Sequence, residues 1–270
     1  MRVADPVAAS WKASLSLAFA RRGERTVLAS RSHDGPLVVQ QPLYPEGPDL
    51  CHAIVVHPPG GIAGGDELTL EVACERDAHA LLTTPGAGKW YRSAGARAAQ
   101  SLAFRVGGTL EWLPRETIVF DGALAELSTS VELQPGARFI GWEILCLGRR
   151  GCGEQFARGR VRFSTRVRET QRLLFVEQGE LEGGGRLMRS PAGLGGRSVL
   201  GTFIATGAAA SVELRAAAPE LALTQLSGLL IARYLGDSSE AALRAFIRLW
   251  TNVRPLVAGR AALAPRIWST

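Results

Sequence analysis

The sequence predicts an all-β architecture with one helix near its C-terminus, in a single domain spanning residues 1–270. Three observations carry that expectation. Apolar and polar residues alternate with period two over much of the chain, as half-buried strands require. Gly- and Pro-rich turns separate these stretches at fairly even spacing. One segment breaks the pattern and takes up helical spacing instead.

In chain order, Trp11, Ala13, Leu15, Leu17 and Phe19 alternate with Lys12, Ser14 and Ser16 to give the first strand. Similar strands are expected over 36–40, 53–57, 68–75, 78–84, 100–106, 109–113, 127–133 and 138–147. Others follow over 161–168, 172–178, 199–205, 211–215 and 228–235. The run 221–230 fits either a helix or a strand. Asp237-Ser238-Ser239-Glu240 reads as an N-cap acid followed by a glutamate at N3, a variant of the capping box. Leu243, Phe246, Ile247, Trp250, Val253 and Val257 then recur at helical spacing, giving a helix over about 238–257. Pro255 should end or kink it near Arg254. No linker, low-complexity block or repeat divides the chain.

Hydrophobic residues make up 46% and charged residues 21% of the sequence, which suits a globular chain and not a disordered one. The net charge of +6 rests almost wholly on arginine, since Lys12 and Lys89 are the only lysines. Arginine forks suit carboxylates and protein interfaces, so the excess favours an acidic protein partner over nucleic acid. Four scattered cysteines make no disulfide framework and fit a reducing cytoplasm. No charged segment followed by an apolar stretch of about 7–15 residues opens the sequence, so no signal peptide is expected, and no apolar run approaches the ~20 residues that span a bilayer.

Few motifs announce chemistry. Thr83 to Trp90 invites comparison with a P-loop, but Thr83 stands where the first glycine belongs and Trp90 where magnesium needs Ser or Thr. A tight turn leaving a strand is the expectation there. Cys51, His52 and His57 include no CxxC or HxH pair to seed a closed zinc site, and His57 remains the one histidine considered as a metal ligand. Cys146 and Cys152 lie in or beside an apolar strand and read as packing residues. No nucleophile elbow or comparable signature appears. Arg160, Arg162, Arg166 and Arg168 share one strand face, read as a solvated outer surface or an acidic-partner contact.

The most informative oddity is a set of carboxylates in phase with apolar side chains. Asp66 shares strand parity with Leu68, Leu70 and Val72, and Glu116 with Ile118 and Phe120. Glu143 shares it with Phe139, Leu145 and Leu147, and Glu177 with Leu173 and Phe175. A buried carboxylate without a partner is costly, so each should meet an arginine, a wet cavity or a metal path, unless a strand end lets it reach solvent. Glu143 sits mid-strand with apolar residues on both faces.

Several segments together resemble the urease accessory protein UreD (UreH) family. They are His57-Pro58-Pro59-Gly60-Gly61-Ile62-Ala63-Gly64-Gly65-Asp66, Thr83 to Ser93, Trp112 to Ile118 and Phe120-Asp121-Gly122-Ala123. Gly141 to Arg149, Leu235 to Glu240 and Pro265 to Thr270 complete the set. Their order and near-full coverage make the resemblance specific, whereas 178–198 matches less crisply. The resemblance implies a distorted β-helix-like fold and a non-catalytic scaffold with no tightly bound cofactor. It also implies partners: apo-urease, a helical UreF-like accessory protein and, through it, a UreG-like GTPase. Transient Ni²⁺ is implied to pass through an internal water-filled tunnel, for which Asp66, Glu116, Glu143, Glu177 and His57 are the candidate stations. A different class, a cupin-type β-barrel metalloenzyme built on His57, is the competing expectation.

Overall fold

A computed structural model describes residues 10–269. Its strands are β1 (Lys12–Arg22), β2 (Arg25–Asp34), β3 (Val38–Val39), β4 (Leu50–Val56), β5 (Glu67–Cys74) and β6 (His79–Thr83). They continue with β7 (Gly88–Trp90), β8 (Ala98–Val106), β9 (Thr109–Leu113), β10 (Thr117–Val119), β11 (Leu124–Leu133) and β12 (Arg138–Leu147). The last are β13 (Arg160–Glu169), β14 (Arg172–Glu182), β15 (Val199–Thr206), β16 (Ala222–Leu226) and β17 (Leu229–Gly236). Three helices are described: α1 (Arg186–Arg189), α2 (Val212–Ala217) and α3 (Ser239–Ala258).

The strands form two facing sheets, ordered β14-β13-β11-β8-β5-β1-β2 and β16-β17-β15-β12-β9-β6-β4-β3. From β4 to β13 the chain crosses repeatedly between them, and each strand lies parallel to its predecessor in the same sheet. The series β5, β8, β11, β13 builds the first sheet and β4, β6, β9, β12 the second. This is the winding of a β-helix. Short β7 and β10 make a narrow third face, with β10 beside the end of β12. Antiparallel strands β2, β14, β15, β16 and β17 interrupt the winding, and the sheets are not closed into a barrel. The mainly β fold with a C-terminal helix is therefore as expected, and a barrel of cupin type is not.

Period-two alternation builds the space between the sheets. Leu17, Val72, Phe104, Val131, Val167 and Phe175 stand in register on six neighbouring strands, all buried. Cross-strand apolar pairs of this kind stabilise a sheet row by row. The second sheet has a further layer on its outer face, where Leu81, Ile140, Trp142 and Phe203 pack against Phe246, Leu249, Trp250 and Val253 of α3. Being covered on both faces, β4 reads as the unbroken run Leu50-Cys51-His52-Ala53-Ile54-Val55, buried throughout.

Three local expectations need correction. Ser238, not Asp237, caps α3: its Oγ accepts from Ala241 N at 3.1 Å, while Asp237 pairs with Arg197 at 2.7 Å. Pro255 does not end α3, which runs to Ala258 and stops at Gly259, with φ +70°. A proline in the last turn forfeits one backbone bond, and burial of Val253, Arg254 and Val257 holds the turn regardless. The expected strand 211–215 is instead α2, because Ser211 Oγ accepts from Leu214 N at 3.3 Å and caps it. The ambiguous run 221–230 forms β16 and the start of β17. Among the described residues no helix is long and apolar enough to cross a membrane.

Candidate functional site: a cavity between the sheets

A cavity of about 370 Å³ lies between the sheets. Its wall on the first sheet can be followed strand by strand, because Leu70, Leu102, Thr129, Thr165 and Glu177 stand in register across β5, β8, β11, β13 and β14. The row is apolar at β5 and β8 and polar from β11 onward. The opposite wall repeats the change, with Val55 and Trp112 at one end and Glu143 and Thr202 at the other. Strand order thus makes this row apolar at one end and polar at the other, while Gln100, Lys89 and Arg115 also line the cavity.

At the polar end two carboxylates are held crosswise. Glu143 on β12 takes a 2.5 Å hydrogen bond from Thr129 Oγ1 of the facing sheet. Glu177 on β14 takes one of 3.0 Å from Thr202 Oγ1, which stands beside Glu143 in register. Arg233, next along that row, ion-pairs with Glu177 and leads to the surface. Glu143 has no cationic partner. Burial pushes its carboxyl above the usual carboxylate range; the Thr129 hydroxyl opposes this and the nearby Glu177 charge adds to it. A carboxyl group without a cationic partner and an arginine-paired carboxylate therefore share one wet-capable corner of an apolar interior.

His57 follows β4 and lines the same cavity. Its Nε2 is buried without a protein partner, and burial lowers its pKa against the opposing pull of Asp66. Asp66 itself is 2% exposed and lines no part of the cavity; its two oxygens accept from Trp11 N at 2.8 Å and Ala63 N at 2.7 Å. Glu116 also stands outside the cavity wall, 3.7 Å from Arg115. Of the five residues singled out by phase and resemblance, the cavity brings together His57, Glu143 and Glu177. The other two have local partners.

Other sequence features resolve into packing. His52 meets Glu46 at 2.9 Å, and Cys146 is buried, its thiol pushed up to about 12 chiefly by burial, whereas Cys152, expected to pack, is exposed in the turn after β12. Arg160 and Arg162 pair with Glu180 on the outer face of the first sheet. Thr84-Pro85-Gly86-Ala87 is the turn between β6 and β7, beside the cavity. Among the described residues no group of three or more His, Cys, Asp or Glu is placed to hold a metal ion.

Thr129, Thr202 and Trp112 were missed in the sequence. Thr129 falls in phase with Leu127, Val131 and Leu133, so the parity test that exposed Glu143 could have found it had hydroxyls been included. The pairing of Thr202 with Glu177 is visible only once the two sheets face each other.

The family model described as UreD urease accessory protein matches residues 12–269. The chain is 53% identical to the urease accessory protein UreD of Azoarcus sp. (strain BH72), covering 96% of this chain and 94% of that one. It is 51% identical to its counterpart in Dechloromonas aromatica (97% and 95% covered) and 46% identical to that of Cupriavidus necator (98% and 96% covered).

Proposed function

The chain belongs to the UreD urease accessory protein family and so takes part in urease maturation; on that premise we propose that it is a non-catalytic cytoplasmic scaffold that passes nickel towards apo-urease. In this reading it bridges urease to a UreF-like helical protein and, through that protein, to a UreG-like GTPase. The observation that carries the proposal is the crosswise carboxylate pair at the polar end of the cavity. Oxygen donors suit a divalent cation weakly, as cargo in transit requires. A scatter of one- and two-residue stations fits transfer better than a closed site, which would retain the ion. A cation at Glu143 would favour the ionised carboxylate, against the upward push that burial gives its pKa. Glu177 is oriented by Arg233 and Thr202, and Thr129 fixes Glu143 opposite.

Glu143→Gln keeps shape and the hydrogen bond from Thr129 while removing the ionisable oxygen. Co-expressed with urease and the other accessory proteins, this variant is expected to be captured with its partners as the parent is. Urease activation should fall roughly tenfold, the scale of losing one tuning group at a metal site, and further when Glu177→Gln is added. Unchanged activation in the double variant would refute the path. So would loss of partner capture in step with activation, since that marks Glu143 as a folding residue only.

A further inference from the structure

At one end of the winding, the loops that lead into β11, β13 and β15 lie side by side. Backbone bonds lace them together: Gly122 N donates to Arg158 O at 2.9 Å, Gly183 N to Gly159 O and Gly184 N to Phe156 O at 3.0 Å, and Leu147 N to Ser198 O at 2.8 Å. These loops are rich in arginine, and their carboxylates are already answered. Asp121 pairs with Arg158 at 2.9 Å, Glu154 with Arg149 at 2.5 Å and Asp237 with Arg197 at 2.7 Å. Arg150, Arg186 and Arg189 are exposed and form no ion pair among the described residues. Against these three cations stands one exposed carboxylate, Glu182 at the end of β14.

The segment that carries two of them is held in place. Leu187 O accepts from Leu194 N and Met188 O from Gly196 N, both at 2.8 Å. Met188 packs on the core, and Leu194 is buried in it. A Cβ at Gly183 would fall 2.4 Å from the Arg158 backbone, and one at Gly193 would fall 2.2 Å from Leu187 O, so the chain is drawn tight on either side of α1. Between Arg186 and Arg189 the Leu187 side chain is 51% exposed. An apolar side chain on a fixed backbone between fixed cations can be covered at little ordering cost.

We propose that this corner is a docking surface for an acidic segment of a protein partner, in which carboxylates flank an apolar side chain. The carboxylates meet Arg150, Arg186 and Arg189, whose forks suit them, and the apolar side chain covers Leu187. The interleaved carboxylates of Glu154, Asp237 and Glu182 set the surface against a nucleic acid, whose unbroken line of phosphates would meet them and gain nothing from the leucine.

Fluorescein-labelled repeats of Glu-Glu-Leu-Glu-Glu, titrated with the full-length chain and followed by anisotropy, should bind with an affinity that falls as salt rises. Arg186→Glu/Arg189→Glu should weaken binding about tenfold. Arg76→Glu/Arg105→Glu makes the same charge change beyond β5 and near the end of β8, at the far end of the winding, and should leave binding within about twofold. All these side chains are exposed, so the variants should fold as the parent does. Replacing the peptide leucines by serine should cost about three- to fivefold in the parent and nothing in Leu187→Ser. Absence of peptide binding overturns the proposal, as does an equal loss in both charge-reversed variants, which marks net charge alone. A leucine preference that survives Leu187→Ser overturns it too. An oligothymidylate that binds more tightly than the peptide at equal salt, and is lost in Arg186→Glu/Arg189→Glu, would make the corner a nucleic-acid site instead. The assay contains neither urease nor nickel, so its failure leaves the transfer reading untouched.

Discussion

Replacing Arg254 by methionine is expected to destabilise the protein by about 3–5 kcal/mol, the cost of breaking a buried ion pair from one side. Arg254 is fully buried on α3, and its guanidinium serves three acceptors. Nε reaches both Glu111 oxygens at 3.1 and 3.0 Å, Nη1 and Nη2 reach Glu46 at 2.7 and 2.9 Å, and Nη1 also meets Ala261 O at 2.7 Å. Glu111 is equally buried and accepts further from Trp250 Nε1 at 2.7 Å and bonds His79 at 2.8 Å. Removing the arginine leaves two carboxylates facing each other in the interior. Denaturant unfolding of Arg254→Met and of Arg254→Met/Glu111→Gln checks this, and the double variant should recover part of the loss. A single variant within about 1 kcal/mol of the parent would show that solvent reaches the cluster.

The same cluster sets an acid limit. Burial alone would raise the Glu46 carboxyl, but hydrogen bonds and charge from His52 and Arg254 outweigh it and hold the group at about 2, against 4.5 when unfolded. A depressed folded pKa contributes stability above the unfolded value, which is lost as pH falls through the folded one. Glu46 should therefore contribute fully near neutrality and progressively less between pH 4.5 and about 2. In Glu46→Gln the fall in unfolding free energy over that window should be shallower; an unchanged pH profile would rule Glu46 out as its source.

Asp66→Ala should behave as a stability mutant, in contrast with Glu143→Gln. The Asp66 carboxylate bridges two stretches of backbone, Trp11 at the start of β1 and Ala63 in the loop before β5. Hydrogen bonds to a charged acceptor are worth about 1.5–3 kcal/mol each, and the exposed Trp11 residue can recover part of its share from water, so a net loss of about 2–3 kcal/mol is expected. Thermal unfolding and partner capture should decline together, with urease activation following them. A variant of parental Tm and partner capture that nonetheless fails to activate urease would return Asp66 to the ion path.

Phase within a strand was enough to isolate Glu143 and Glu177, because a carboxylate among leucines is anomalous wherever the strand lies. It could not separate them from Asp66 and Glu116. That distinction rests on what faces each carboxylate: backbone N–H groups for Asp66, Arg115 for Glu116, and a facing sheet for the other two. Strand existence was legible for the same periodic reason, whereas β2 was missed because its second half is exposed and carries no alternation. Ser211 was misread because a five-residue stretch has room for either period, and a capping hydroxyl settled it. Arg254 was unreadable in advance. In a helix its position shares a face with Trp250 and Val257, and nothing local says that Glu46 and Glu111 wait beneath.

The winding of the chain has a consequence in time. From β4 to β13 each strand can dock on one made shortly before it, so assembly can follow synthesis turn by turn with only short loops to close. Helix α3 is different. Arg254 leaves the ribosome 208 residues after Glu46 and 143 after Glu111, the carboxylates it neutralises. Until then the outer face of the second sheet, with Trp142 and Phe203, has no cover, and Glu111 has no arginine. A nascent chain paused before α3 is thus a nearly complete pair of sheets with a bare apolar side, and that interval is when aggregation competes most strongly with folding.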